Sequence, residues 1–135
     1  MKDNNMREIL FRGKRVSGNK EWIFGNVNYY PNLNRWFIRL QPAMSVLQTL
    51  EDEVAANTVG QYTGLTDKNG KKIFDGDIVK YKEENGEIVY HDQEAMFVVC
   101  FDTWFTDFDH LYGKDVEIVG NIHDNPELLE GGVQE

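Results

Sequence analysis

Two groups of aspartates and one cysteine are the residues of this chain whose types could do chemistry. Asp67, Asp75 and Asp77 cluster around turns, and Asp102, Asp107 and Asp109 surround an aromatic loop with His110. Carboxylates on adjacent loops can hold Mg²⁺ or Ca²⁺ through oxygen, and the second group would then suit a metal-dependent hydrolase. Turn aspartates, however, ordinarily accept hydrogen bonds from their own backbone, and an acidic loop with aromatics is ordinarily a solvated rim. His110 and His123 each stand alone beside an aspartate, a setting for a plain hydrogen bond. Cys100 lies inside the apolar run Met96–Phe101 and reads as a structural thiol, not a nucleophile. A single cysteine cannot staple the chain, and it fits a reducing compartment.

The nucleotide and hydrolase motifs are absent. Asn69-Gly70-Lys71-Lys72 lacks the glycine loop that cradles phosphates, and no Gly-x-Gly-x-x-Gly or Gly-x-Ser-x-Gly occurs. Closely spaced histidine or cysteine ligand pairs are missing too. The expectation is a chain with no catalytic residues, no cofactor and no metal.

The elements that position these residues are short strands. Val59–Thr63 and Ile73–Tyr81 are extended runs separated by Asn69-Gly70 and Asp75-Gly76, both bends that tolerate positive φ. Upstream, Glu8–Arg12, Trp22–Val27 and Arg35–Leu40 alternate as strands, so the N-terminal third reads as a small sheet with a basic side. Met44, Leu47, Leu50 and Val54 recur at helical spacing, which predicts a helix or a surface excursion over 42–56. Lys82–Glu87, with Asn85-Gly86, predicts a hairpin tip. Met96–Phe101 is a core strand, and Asn125-Pro126-Glu127 opens a short final helix. Five short strands with tight bends between Thr58 and Ile122 predict an SH3-like barrel. The fold expectation is α+β: a mostly β N-terminal subdomain over 1–57 and an SH3-like barrel over 58–135.

Composition bounds the function. At 135 residues the chain is one domain or two fused halves. A mean hydropathy of −0.54 and the lack of any apolar run near ~20 residues argue against a membrane-spanning helix. The segment MKDNNMREIL carries no apolar signal region, so the protein is expected in the cytoplasm. Net charge is −9, with eight Lys/Arg against three Asp/Glu in residues 1–40 and six against twenty in residues 41–135. A net-acidic chain is a poor general binder of nucleic acid. Oppositely charged ends could instead attract, within one chain or between copies.

Three ordered phrases carry a family resemblance. The longest runs Gln61-Tyr62-Thr63-Gly64-Leu65-Thr66-Asp67-Lys68-Asn69-Gly70-Lys71, then Ile73-Phe74-Asp75-Gly76-Asp77-Ile78-Val79. The others are Arg7–Gly13 and Val119-Gly120-Asn121-Ile122-His123-Asp124-Asn125-Pro126-Glu127-Leu128-Leu129. Together they resemble the YopX-like family of phage and prophage proteins, while Pro31–Asn57 and Lys82–Asp115 match no fixed phrase. The resemblance implies an N-terminal α+β part joined to a C-terminal SH3-like barrel, with ring assembly through the N-terminal part. It implies no catalytic roles.

The expected function is a non-enzymatic protein-contact or assembly module, forming a homo-oligomer or meeting another phage or host protein. Arg7, Arg12, Arg15, Arg35 and Arg39 would meet acidic surface on the partner, and Tyr62, Trp104 and Phe105 are candidate contact aromatics. Acids beside exposed aromatics suit a basic peptide. The alternative is single-stranded nucleic acid stacked on Trp22, Tyr29, Tyr30 and Trp36. The remote alternative is the hydrolase built on Asp102, Asp107 and Asp109.

Overall fold

Alternation of apolar and polar side chains lays down strands almost throughout the computed structural model, which describes residues 8–40, 51–107 and 115–130. The fold is mostly β: two antiparallel sheets and one short helix. The chain divides into two compact units between Tyr62 and Thr63.

In the first unit, β1 (Phe11–Lys14), β2 (Trp22–Tyr30), β3 (Arg35–Leu40), β4 (Glu51–Val54) and the start of β5 (Gly60–Thr66) lie in the order β4-β3-β2-β1-β5. A single 3₁₀ turn, Ala56–Thr58, precedes β5. Ile23, Ile38 and Val54 form the core, with Trp36 and Val59 packed on it. Arg15 bridges Val54, so the end of β1 meets β4 at one corner.

In the second unit, β5 runs on toward β6 (Lys72–Phe74), followed by β7 (Asp77–Tyr81), β8 (Glu84–His91), β9 (Met96–Cys100), β10 (Phe105–Asp107) and β11 (Glu117–Asn121). The last five are ordered β10-β9-β8-β7-β11. Ile73, Val79, Ile88, Val99, Phe101 and Val116 form the core. Each fully buried Val or Ile contributes about 1.5–3 kcal/mol. The helix α1 is one turn, Glu127–Glu130.

Counted from β1 in one sheet and from β7 in the other, five strands of each read 4-3-2-1-5, every neighbour among them antiparallel, and β6 extends the first sheet beyond β5. The hairpin between the second and third strands has a four-residue loop in both, ending on a positive-φ residue: Asn34 (53°) and Ala95 (56°). In each loop the last N–H bonds the first carbonyl, Asn34 to Pro31 and Ala95 to Asp92. Each hairpin carries an aromatic pair at the same register, Tyr29↔Trp36 and Tyr90↔Phe97. No sequence repeat announces this duplication.

Several expectations need correction. Of the helix expected over 42–56, residues 42–50 lie outside the described residues, and 51–54 are strand β4, paired with β3. Carboxylates of Glu51 and Glu53 there meet β2 and β3 side chains, which a helix would not align. The hairpin expected at Asn85-Gly86 turns instead at Lys82-Glu83, both at positive φ (48° and 71°). Asn85 and Gly86 sit inside β8, opposite Lys80 and Val79. Gly86 is needed for space: a Cβ there would lie 2.8 Å from Val99 and 2.9 Å from Phe101. The Asn125 side chain accepts Asn121 N–H (3.2 Å), and its backbone carbonyl accepts Leu128 N–H (3.1 Å), which ties the start of the helix to the end of β11. Among the described residues neither sheet closes into a barrel, and no helix is long and apolar enough to cross a membrane.

Candidate functional site

In the first unit, sheet pairing brings the acids of β4 beside the arginines expected to bind a partner. Arg35 forks onto Glu53, with Nε donating to Oε2 at 3.0 Å and Nη2 to Oε1 at 2.7 Å. Arg15 meets Glu21 at 2.8 Å and Asp52 at 3.5 Å. Arg12 is buried, with its guanidinium 4.5 Å over the Trp22 ring. Arg39 is exposed, and Arg7 lies outside the described residues. Two of the five arginines, Arg15 and Arg35, are thus paired with acids of their own unit. Counted over Met1–Tyr62 that unit holds eight Lys/Arg against six Asp/Glu, a net +2, which leaves −11 for Thr63–Glu135.

The same contacts bear on the nucleic-acid alternative. Tyr29 packs against Trp36 with the rings tilted (4.5 Å between centroids) and hydrogen-bonds Asn34, while Trp22 lies under Arg12 and Lys14. The Tyr30 hydroxyl donates to Glu51, and that bond pushes the phenol pKa above its ordinary value. Phosphates approaching Tyr30 would meet the Glu51 carboxylate.

In the second unit the motif aspartates are structural hubs. Asp67 is buried; its Oδ1 accepts the N–H of Asn69 (2.8 Å) and Lys71 (2.9 Å), and its Oδ2 that of Ile118 (3.0 Å). Burial pushes its carboxyl up, but the three backbone donors and the Lys71 charge outweigh burial and hold it below the ordinary value. Asp77 accepts the N–H of Phe74 at 2.7 Å, which closes the Asp75-Gly76 bend. Asn121 Oδ1 accepts two backbone N–H groups, from His123 and Asp124, both at 2.9 Å. Gly120 lets the following turn close, since a Cβ there would stand 2.6 Å from Asn125 Oδ1. Thr63 Oγ1 receives Leu65 N–H, and Gly64 and Gly70 take positive φ.

Among the described residues no three His, Cys, Asp or Glu side chains come together as a metal-ligand group. Asp109 and His110, needed for the hydrolase alternative, lie outside them. Cys100 is half-buried opposite Glu87, and burial together with that carboxylate raises the thiol pKa. A raised pKa makes it a poor nucleophile at neutral pH.

The surface aromatics sort by side. Tyr62 is core, 9 % exposed. Trp104 and Phe105 are surface residues, 42 % and 55 % exposed, and Tyr90 and Met96 are exposed too, on opposite faces of the β8–β9 ladder. Trp104 lies flat on Phe101, with centroids 4.6 Å apart and planes 18° apart, while Phe105 stacks with His91 at 5.4 Å. Sequence reasoning named Trp104 and Phe105 but missed Tyr90 and Met96. Their signal was the alternation along β8 and β9, readable only once the pairing register is known.

A family model described as YopX protein matches residues 10–130. Protein EF1440 from Enterococcus faecalis, known from a crystal structure, is 30% identical, with a TM-score of 0.58 over 93% of this chain and 100% of that one. No curated protein matches.

Proposed function

This chain belongs to the YopX family, and from that premise we propose a non-catalytic contact module of phage or prophage origin, acting in the bacterial cytoplasm and assembling with its own copies. One observation supports it above others. The five-strand order is present twice, and in both units the second hairpin leaves large apolar side chains in water. These are Tyr29, Tyr30 and Leu33 in the first unit, and Tyr90 and Met96 in the second. We assign an SH3-like barrel arrangement to the second unit, supported by the order 4-3-2-1-5 of β7–β11 with antiparallel first and fifth strands. That fold hosts many functions, so the argument rests on the surface and not on the fold.

Duplicated, exposed aromatic hairpins give one chain two contact points, which is what a head-to-tail assembly requires. The unequal charge of the units, +2 and −11, favours contacts between unlike patches of neighbouring copies. Light scattering at about 50 mM and about 500 mM salt tests the reading, since surface charge contacts weaken over that range. The expected result is a mass above the 15.7 kDa of one chain at low salt, reduced by salt and by the double change Tyr29→Ser, Tyr90→Ser. A strict monomer at high concentration and low salt overturns self-assembly.

A further inference from the structure

We infer that the β8–β10 face of the second unit docks an arginine-bearing segment of a second protein. The inference rests on the contact-module reading and names the chemistry of the partner. The duplicated fold supplies an internal comparison. In the first unit the second to fourth strands carry aromatic rings and carboxylates, and the same chain provides their cations. Arg12 lies over Trp22, Arg35 lies 5.3 Å over Phe37, and the acids of β4 meet Arg15 and Arg35. Their counterparts β8, β9 and β10 also carry rings and carboxylates. Yet no Lys or Arg occurs between Lys82 and Lys114, while seven acids fall between Glu83 and Asp107. β7 and its turn, the counterparts of β1 and the residue after it, carry Lys80 and Lys82, and Lys82 lies 5.2 Å over the Tyr81 ring, but β8, β9 and β10 contribute no Lys or Arg to their own rings.

The surface is shaped to receive one. Phe101 is 7 % exposed and anchored in the core, and the Trp104 indole lies flat against it, so one indole face is fixed and the other meets water. The backbone holds the loop, with Phe101 N–H donating to Trp104 O at 2.7 Å. Asp102 is exposed in the same loop. A planar guanidinium can stack on the indole while its N–H groups meet a carboxylate, a pairing that a compact ammonium reproduces less well. The −11 of the unit steers such a segment inward. A second copy of this chain fits less well, because its Arg12, Arg15 and Arg35 are already engaged within their own unit, which leaves Arg39 as the exposed arginine among those described.

The test titrates the full chain with an arginine–glycine–serine peptide and with its lysine counterpart, by calorimetry at low and high salt. The arginine peptide is expected to bind, more weakly in salt and about tenfold tighter than the lysine peptide. Trp104→Ala and Asp102→Lys should each weaken it about tenfold, while Phe24→Ser, which removes an exposed ring from the first unit, leaves it unchanged. Asp102 is exposed, so its reversal reports on docking even if Trp104→Ala fails to fold. No binding, equal affinity for the two peptides, or full affinity in Asp102→Lys overturns the inference. Sedimentation of the same samples separates the two readings. Peptide binding by a monomer leaves docking standing and removes self-assembly; an oligomer indifferent to the peptide does the reverse.

Discussion

Asp67 and Ile118 are joined across 51 positions of sequence: the Asp67 Oδ2 accepts the Ile118 amide N–H at 3.0 Å. The neighbouring Lys68 N–H reaches Val116 O at 2.9 Å. One carboxylate therefore both closes the Asn69-Gly70 turn and seats the start of β11.

Asp67→Asn should destabilise the second unit by about 2–3 kcal/mol, the cost of leaving a buried donor opposite a donor. The amide oxygen can serve Asn69 and Lys71, but its NH₂ would then face Ile118 N–H. The folded pKa lies below the unfolded one, so the contribution is complete above the ordinary aspartate range. It is lost as pH falls through the depressed folded value. Urea titrations of both proteins from neutral pH downward should therefore converge in acid.

Glu87→Gln should act in the opposite sense. Burial first, and the Asp75 charge second, raise the Glu87 pKa. A carboxyl with a raised folded pKa carries no penalty below the ordinary glutamate range and its full penalty above the raised value. The variant should be more stable at neutral pH and no different in acid. It should also speed alkylation of Cys100, whose thiol pKa Glu87 helps to raise. Stability curves and a thiol-labelling rate check the two effects on one protein.

The β7–β8 turn places Lys82 and Glu83 at positive φ, where side chains cost energy that Asn and Gly avoid. Replacing the pair by Asn-Gly should stabilise the chain by about 1 kcal/mol. Gly86→Ala should cost about 1–3 kcal/mol by overpacking against Val99 and Phe101. Thermal melts of the two variants should move in opposite directions.

Gly120→Ala should disturb the closing turn, because its Cβ would stand 2.6 Å from Asn125 Oδ1 and 2.9 Å from Leu128. The expected loss is about 1–3 kcal/mol. Faster hydrogen exchange at Asn121, whose N–H bonds that same oxygen, would mark the site of the damage.

Much of the local structure was legible in the residues. Asn69-Gly70 and Asp75-Gly76 turn where their chemistry says they should, and Asp67 binds the backbone of its own turn, as short carboxylate side chains do. Arg35–Leu40 alternates as read, with Ile38 wholly buried. The candidate surface was half legible. Trp104 and Phe105 were named, but two of the arginines offered with them, Arg15 and Arg35, face acids of β4, whose place beside β3 no local pattern encodes.

The sequence alone determined the short-range features, namely strand-forming runs and turn residues, and the excess of acid after residue 40, because each is read from composition or from neighbours a few positions away. Tertiary structure decided which Asn-Gly bends the chain, since Gly86 answers to Val99 and Phe101 on other parts of the sheet. It also decided that one strand order occurs twice, as pairing is a matter of backbone hydrogen bonds that many side-chain sequences satisfy. Two stretches with no shared phrase can therefore fold alike, and only the ladder reveals it.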